Sequence, residues 1–255
     1  MGTTPEDREE RGTDATASVP PTQSAATPAG GADTHTHSPA NPPPGMSSST
    51  SVAVFGLGCL WGADPVFGAL DGVRYTLVGF AGGTTPDPTH AAIGDHIEAV
   101  RVVFDPTQIA YSDLLRAFWT AHDPTETAAK RRYRHALVPQ TDRQTAQATT
   151  VRAQWGERVW LCQNDCFHLA APHHQNYKLR QHERLAARFR DRVPTDDAFT
   201  RSPAATLANA YVAGHRPLAR LDEDRGLLAL PAQALDRLCD LARRHQGWRA
   251  FVRST

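Results

Sequence analysis

The sequence predicts a layered domain in which β-strands alternate with helices, preceded by a tail that does not fold. Strand-like runs of apolar and β-branched residues alternate with helical runs from Ser51 to about Val193, which is typical of mixed sheet-and-helix layers rather than of a helical bundle. Residues 1–50 are rich in Pro, Thr, Ser, Ala and Gly and contain few large apolar side chains. Residues 194–255 contain two or three short helical patterns.

The N-terminal segment, residues 1–50, has too little apolar surface to offset the entropy of ordering a chain, so we predict that it is disordered. Met46 stands just before the first predicted strand and is the only methionine besides Met1. We therefore hypothesise that translation starts at Met46. The intact mass of the native protein tests this, and a mass that includes residues 1–45 would refute it.

Composition narrows the classes of function and the compartment. Lys+Arg and Asp+Glu both number 27, so net charge gives no attraction to nucleic acid. No apolar run reaches the ~18 residues of a membrane span, and no secretory h-region is visible at the N-terminus. Four cysteines in a chain of 255 residues do not form a disulfide framework. We expect a cytoplasmic monomer with reactive thiols and no nucleic-acid or membrane partner.

The stretch from Ser51 to Gly62, SVAVFGLGCLWG, combines a strand, a glycine-rich turn and a cysteine. Gly56 and Gly58 break the strand and let the backbone turn tightly. Cys59 would then lie at a helix N-terminus, where free N–H groups and the helix dipole favour a thiolate, the reactive form. The alternative is a buried structural cysteine, which is common in protein interiors.

Five segments have the β-branched residues or the two-residue alternation of strands. In the clearest one, IEAVRVVF, alternation places Glu98 on the same side as Val100 and Val102, and Asp105-Pro106 ends the segment. The first predicted strand begins at Ser51 and ends at the Gly56 break. The other four cover Val73–Gly79, Ile97–Phe104, Tyr133–Val138 and Val159–Cys162.

The predicted helices follow from apolar residues that recur on one face and from capping residues. Ser112 or Asp113 stands near the start of the most amphipathic one, YSDLLRAFWTAH. The predicted helices are Leu60–Leu70, Tyr111–His122, Asp142–Gln154, Gln175–Val193, Ala204–Val212, Pro231–Arg244 and Gln246–Val252.

Short motifs are spread over residues 51–180: Gly58-Cys59-Leu60-Trp61-Gly62, Gly79-Phe80-Ala81-Gly82-Gly83, Gly94-Asp95-His96-Ile97-Glu98, Asp123-Pro124-Thr125, Tyr133-Arg134 and Ala170-Ala171-Pro172-His173-His174-Gln175-Asn176-Tyr177. In this order they resemble the A-type peptide methionine sulfoxide reductases. Each motif is weak alone, and the ordered set carries the resemblance. It implies an α+β fold, a two-layer ferredoxin-like sandwich with a mixed sheet flanked by helices, over residues 51–193, and a helical C-terminal extension over residues 194–255.

The resemblance implies thiol-dependent reduction of methionine S-sulfoxide, free or in proteins, in repair of oxidative damage. Cys59 would attack the sulfoxide sulfur, and Glu98 would protonate the departing oxygen, which is otherwise a poor leaving group. Burial against aromatic rings would favour the neutral carboxylic acid that a donor needs. Taken alone, Glu98 is an ordinary strand residue facing solvent. The implied substrate-binding residues are Trp61, Leu60, Phe80, Tyr133 and His96.

Attack by Cys59 would leave a sulfenic acid, which a second thiol normally condenses with before thioredoxin or another thiol reduces the disulfide. We rank Cys166 first as the resolving cysteine because it precedes the motif that lies near the active site in the family, Cys162 second and Cys239 last. No cofactor and no metal are expected.

Departures from the family pattern keep other functions open. Leu60 stands where the family has phenylalanine, Phe80 lacks the hydroxyl of the usual tyrosine, and the ETAAKRR segment before Tyr133 lacks a glycine–asparagine–aspartate run. One alternative is a relative with an altered substrate, or one that binds oxidised peptides without catalysis. Another is a zinc module built from Cys162, Cys166 and His168, with His173 and His174 close by.

Overall fold

The computed structural model describes residues 50–123, 128–155, 158–163 and 166–254. The tail predicted for residues 1–50, except Thr50, lies outside these residues, and so do Met46 and two residues of the DPT motif, Pro124 and Thr125. The described chain has no helix with both the length and the apolar character needed to cross a membrane.

Within the described residues, six strands form one mixed sheet in the order β5-β4-β1-β3-β2-β6. Neighbouring strands are antiparallel except for β4 and β5, which are parallel. Together with flanking helices, this sheet confirms the predicted α+β class. The strands are β1 (Ser51–Gly56), β2 (Val73–Ala81), β3 (Ile97–Phe104), β4 (Ala136–Val138), β5 (Trp160–Leu161) and β6 (Phe167–Leu169).

Register and pleat direct Glu98 to the face of the sheet that helices cover. Phe80 of β2 pairs with Glu98 at the start of β3, and Phe55 of β1 pairs with Val100 two residues further on. Because side chains alternate along a strand, Glu98 shares a face with Val100 and Val102. The two valines belong to the main core cluster. The prediction that Glu98 lies on the same side of β3 as Val100 and Val102 is therefore confirmed.

Helices cover this face and form most of the chain after β6. The main core joins the sheet to α1 and α2, where the ring of Phe55 stacks on that of Phe67 with centroids 4.7 Å apart. The helices are α1 (Leu60–Gly68), α2 (Tyr111–Thr120), α3 (Asp142–Trp155), α4 (Tyr177–Arg180), α5 (Glu183–Arg190), α6 (Asp196–Thr200), α7 (Pro203–Val212), α8 (Leu221–Leu228) and α9 (Ala232–Ser254).

The strand predicted over Tyr133–Val138 is wrong in its first half. Arg131–Tyr133 form a 3₁₀ turn, in which the N–H groups of Tyr133 and Arg134 donate to the carbonyls of Lys130 and Arg131. Only Ala136–Val138 pair with β1. The turn breaks the two-residue alternation before β4, and Nε of Arg132 within it lies 3.4 Å from Oε1 of Glu98.

The helix predicted over Gln175–Val193 begins two residues later and is divided into α4 and α5, with His182 in non-helical geometry between them. The side-chain amide of Gln175 accepts from the Val78 N–H and donates to the Val78 carbonyl, each at 2.8 Å. Asn176 adopts left-handed backbone geometry with φ of 52°. These constraints delay the helix to Tyr177. The preceding strand β6, absent from the predictions, pairs with the outer edge of β2.

The C-terminal helices have a second core of their own and polar contacts with the helices of residues 51–193. Asn209 of α7 donates through Nδ2 to Asp64 of α1 at 3.0 Å and accepts from the Leu179 N–H at 2.9 Å. Arg216 pairs with buried Asp224 at 2.8 Å and donates to the carbonyl of Ala69, just after α1. The two helices predicted over residues 231–252 are one continuous helix, α9.

Candidate active site

Cys59 lies at the turn between β1 and α1, with its side chain exposed. Gly58 has φ of 72°, a left-handed geometry that glycine adopts without steric penalty. Cys59 itself is the N-cap, and its carbonyl accepts from the N–H groups of Gly62 and Ala63 at 2.9 and 3.0 Å. The thiol therefore stands at the N-terminus of α1, the positive end of the helix dipole.

Glu98 is completely buried beside the first turn of this helix. Its Oε2 accepts a 3.0 Å hydrogen bond from the Leu60 N–H, one of the N-terminal helix donors that has no partner within a helix. Its Oε1 has no hydrogen-bond partner among the described residues. The carboxyl group is therefore fixed through one oxygen and leaves the other available to a ligand.

The side chains of Arg132 and His90 face the second oxygen of Glu98. Nε of Arg132 lies 3.4 Å from Oε1, and Nε2 of His90 lies 3.7 Å from it. Arg132 also donates through Nη2 to the carbonyl of His90 at 2.6 Å. The 3₁₀ turn and the loop after β2 thus meet over the acid, and Arg132 is the side chain that joins them.

The loop that carries His90 is held by Asp95. Its carboxylate accepts hydrogen bonds from the N–H and hydroxyl groups of Thr84 and Thr85, at 2.7 to 2.9 Å. The hydroxyl of Thr85 contributes most, followed by the two N–H groups, and these bonds hold the pKa of Asp95 well below its usual range. An ionised Asp95 therefore fixes this loop at neutral pH.

Trp61 stands two residues after Cys59, in a cluster of rings. Its indole stacks on Tyr177 with centroids 4.0 Å apart and lies 5.5 Å from the ring of His90. Its Nε1–H donates to Nδ1 of His174 at 3.2 Å. Burial, followed by the nearby His173 and His90, lowers the pKa of His174 to about 4, so its ring is neutral and can accept this bond at pH 7.

The other predicted substrate-binding residues differ in their access to a substrate. Leu60 and Phe80 are almost wholly buried, and Phe80 pairs with Glu98 across β2 and β3, so both form the base of the site. Tyr133 is half-buried beside Arg132 in the 3₁₀ turn. His96 accepts from the Gly83 N–H through Nδ1, and its Nε2 lies 2.9 Å from the Thr85 carbonyl. Both its nitrogens support the loop, so neither is available to a substrate.

The three remaining cysteines occupy different environments. All four cysteines are thiols in this structure. Cys162 is buried on the sheet face opposite Glu98, in a small cluster with Val54 and Val138. Cys239 is buried on α9, whereas Cys166 is exposed immediately before β6. Among the three, only Cys166 offers its sulfur to solvent.

Metal binding finds no support in the described part of the chain. No group of three or more His, Cys, Asp or Glu side chains comes together there in a way that could hold a metal ion. His168, which the zinc alternative needs, packs edge-on against His96 with ring centroids 5.0 Å apart.

Comparison with known proteins gives the family. Residues 51–205 match the family described as peptide methionine sulfoxide reductase. The chain is 32% identical over 177 residues to a peptide methionine sulfoxide reductase of Drosophila melanogaster, covering 66% of this chain and 71% of that protein. The chain belongs to the peptide methionine sulfoxide reductase family. Membership confirms the predicted enzyme class, an oxidoreductase that reduces methionine sulfoxide through a thiol.

Further matches are shorter or more distant. A mitochondrial peptide methionine sulfoxide reductase of Bos taurus is 54% identical over 59 residues, covering 22% of this chain and 25% of that protein. Methionine sulfoxide reductase A of Corynebacterium diphtheriae aligns structurally with a TM-score of 0.48 and 30% identity, covering 54% of this chain and 77% of that one.

Several residues that contact Glu98 or Trp61 in the structure were not identified as site residues from the sequence. Arg132 belongs to the ETAAKRR segment, whose departure from the family pattern was the one signal that marked it. His90 lies in a loop without periodicity, TTPDPTH, and nothing in that loop identified it. His174 and Tyr177 belong to a motif that marked the family, but their contacts with Trp61 depend on the fold.

Proposed function

We propose that this chain reduces methionine S-sulfoxide at Cys59, with Glu98 as the group that delivers the proton. The observation that carries the proposal is the hydrogen bond from the Leu60 N–H to Glu98, which fastens a buried acid beside the exposed cysteine. Oε2 accepts that bond, so the proton to be delivered belongs on Oε1, the oxygen without a hydrogen-bond partner.

The reaction balances with these two groups alone. The thiol proton of Cys59 passes to Glu98, and the thiolate attacks the electrophilic sulfur of the sulfoxide. Glu98 returns the proton to the sulfoxide oxygen as the sulfur–oxygen bond breaks. The oxygen, now a hydroxyl group, then bonds to Sγ of Cys59 while the bond between Sγ and the substrate sulfur breaks. The thiol is thereby oxidised to a sulfenic acid, and the substrate sulfur leaves as a thioether, reduced by the same two electrons.

Trp61 would supply the apolar wall that receives the methyl group of the substrate. Its ring is held in place by the Tyr177 stack and by the hydrogen bond to His174. The buried side chains of Leu60 and Phe80 support the site from below, and the hydroxyl of Tyr133 is a candidate donor to the sulfoxide oxygen. The structure gives His96 a supporting role in the loop instead.

Cys166 is our candidate to resolve the sulfenic acid because its sulfur is exposed, whereas Cys162 is buried on the opposite sheet face. Condensation of the Cys166 thiol with the sulfenic acid of Cys59 would form a disulfide, and the thiol proton and the sulfenic hydroxyl would leave as water. Thioredoxin or another dithiol would then restore both thiols. Four cysteines held as thiols fit a reducing compartment, and a cytoplasmic monomer stays our prediction.

We further propose that residues 194–255, predicted as a separate helical extension, support the catalytic layer of residues 51–193. Asn209 of α7 connects Asp64 of the cysteine helix to the N–H of Leu179 in α4. Tyr177, the first residue of α4, stacks on Trp61 of α1. The link through Asn209 therefore connects the two helices that carry these stacked rings.

Turnover of methyl p-tolyl sulfoxide tests the proposed activity. We expect the wild-type protein to consume the S enantiomer with dithiothreitol as reductant, and the Cys59→Ala variant to be inactive. Binding of an oxidised peptide without turnover would favour the non-catalytic alternative. Equal activity of the wild type and Cys59→Ala would refute the role of Cys59.

A further inference from the structure

We propose that Arg132 is a further catalytic residue, whose Nε–H donates to the sulfoxide oxygen beside the proton-delivering Oε1 of Glu98. The inference rests on the proposed function and concerns a residue outside the motifs that identified the family. The substrate group it would recognise is the polarised, partly negative oxygen of a sulfoxide.

Two buried polar atoms face each other without a hydrogen bond. Nε of Arg132 and Oε1 of Glu98 are both shielded from solvent, and neither has a hydrogen-bond partner among the described residues. They lie 3.4 Å apart. Buried polar atoms without partners are rare in folded proteins and call for an explanation such as a ligand. An oxygen about 2.8 Å from each atom would form an ordinary hydrogen bond with both.

A simple structural ion pair accounts less well for this geometry. Charge-assisted bonds between arginine and carboxylate are usually about 2.7–2.9 Å long and often bidentate. Here the separation is 3.4 Å, and Nη2 of Arg132 is engaged by the carbonyl of His90 at 2.6 Å. The guanidinium is therefore held open, with Nε 3.4 Å from the carboxyl oxygen and not hydrogen-bonded to it.

The donor would be in place before the substrate binds. The 3₁₀ turn Arg131–Tyr133 and the bond to His90 fix both ends of the side chain, which is only 23% exposed. Pre-organised donors in a site that excludes water stabilise developing charge more than donors in water do. Phe80 has no hydroxyl, so Arg132 would supply a donor that the side chain at position 80 cannot.

The division of roles keeps the reaction balanced. Arginine stays protonated at any accessible pH, so Arg132 gives a hydrogen bond and positive charge but no proton. Glu98 alone transfers the proton to the oxygen, and Cys59 alone changes oxidation state. Arg132 would act on the negative charge that grows on the oxygen while its bond to sulfur breaks.

The test is a single-turnover measurement of methionine released from free methionine sulfoxide in the absence of reductant. We expect Arg132→Met to lower the rate constant by about 100-fold, the usual effect of losing one oxyanion donor, and Arg132→Lys to be intermediate. Arg131→Met, which removes an exposed arginine from the same turn, should leave the rate unchanged. Alkylation of Cys59 by iodoacetamide, at the wild-type rate in each variant, would show that the site still folds.

A double variant separates direct contact from an effect through Glu98. In the Glu98→Gln background, Arg132→Met should lower the residual rate by a further tenfold or more if Arg132 touches the oxygen itself (about 1.4 kcal/mol). No further loss in that background, or an Arg132→Met rate within about threefold of the wild type, would overturn the inference. A wild type that releases no methionine would instead refute the proposed function.

Discussion

The backbone N–H of Leu60 donates a 3.0 Å hydrogen bond to Oε2 of Glu98, which joins the first residue of the cysteine helix to the second residue of the interior strand β3. Because Leu60 directly follows Cys59, the distance between the exposed thiol and the buried acid is set by the covalent chain and one hydrogen bond. The helix N-terminus therefore serves two acidic groups, the thiol of Cys59 and the carboxyl of Glu98.

Replacing Glu98 with glutamine tests the acid. The amide oxygen of Glu98→Gln can still accept from the Leu60 N–H, but the side chain can no longer transfer a proton. We expect the single-turnover rate to fall by about 10²- to 10⁴-fold, the range for loss of a general acid. Rapid-quench measurement of methionine release checks this. A rate close to that of the wild type, with Cys59 alkylated normally, would remove Glu98 from the mechanism.

Serine variants of the two candidate resolving cysteines test which thiol condenses with the sulfenic acid of Cys59. Cys166→Ser should release one equivalent of methionine at the wild-type rate but slow multiple turnover with thioredoxin, because the sulfenic acid has no resolving partner. Cys162→Ser, which changes a buried side chain on the other sheet face, should keep both activities. Full thioredoxin-dependent turnover of Cys166→Ser would exclude Cys166 as the resolver.

The alternation of β3 was sufficient to predict that Glu98 shares a side with Val100 and Val102, because a strand has a fixed two-residue period. It did not predict the burial of Glu98, since both sides of β3 are buried. The glycine turn before Cys59 likewise predicted a cysteine at a helix N-terminus. Both features are local, and each depends on residues within one short segment.

Arg132 and Asn209 could not be placed from the sequence, since their roles depend on contacts distant along the chain. Arg132 reaches Glu98 and His90 only because residues 131–133 form a 3₁₀ turn instead of extending the predicted strand. Asn209 meets Asp64 across 145 residues. No periodicity within either segment indicates a partner so far away.

Asp64 offers a pH-dependent test of the link between the cysteine helix and the C-terminal helices. Burial raises the pKa of Asp64 to about 6, although bonds from Thr76, the Asn176 N–H and Asn209 oppose the rise. Because Asp64 binds its proton more tightly in the folded than in the unfolded chain, it contributes stability that is fully present below the unfolded pKa of 3.8. This contribution is lost as pH rises through the folded pKa of about 6. Asp64→Asn should therefore gain stability relative to the wild type between pH 4 and pH 7, by roughly 3 kcal/mol.

Urea unfolding at a series of pH values checks this prediction for Asp64→Asn. The exposed carboxylate of Asp240, which pairs with Arg243 at 2.9 Å on α9, supplies the control variant Asp240→Asn. Its difference from the wild type should be nearly independent of pH in this range. Parallel stability curves for Asp64→Asn and the wild type would contradict the assigned pKa.

Arg216 tests whether the C-terminal helices are held to the cysteine helix. Its guanidinium makes two 2.8 Å bonds to buried Asp224 and one of 2.9 Å to the Ala69 carbonyl. Arg216→Met leaves the Asp224 carboxylate buried without its cation, which should cost about 3–5 kcal/mol. The exposed Arg225, paired only within its own helix turn to Asp222, supplies the control. Arg225→Met should change the free energy of unfolding by less than about 0.5 kcal/mol.

The two variants are compared by guanidinium unfolding followed by far-ultraviolet circular dichroism. Equal stability of Arg216→Met and Arg225→Met would show that the Arg216 bonds do not hold the extension. A loss confined to Arg216→Met would agree with the proposed support of the catalytic layer by residues 194–255.

Sulfenic acid trapping tests the central claim most directly. The Cys166→Ser variant is treated with one equivalent of methionine S-sulfoxide in the presence of dimedone and no reductant, and its peptides are mapped by mass spectrometry. We predict one equivalent of methionine released and a single dimedone adduct on the peptide that contains Cys59. An adduct on another cysteine, or methionine release without any adduct on Cys59, would contradict the assignment of Cys59 as the nucleophile.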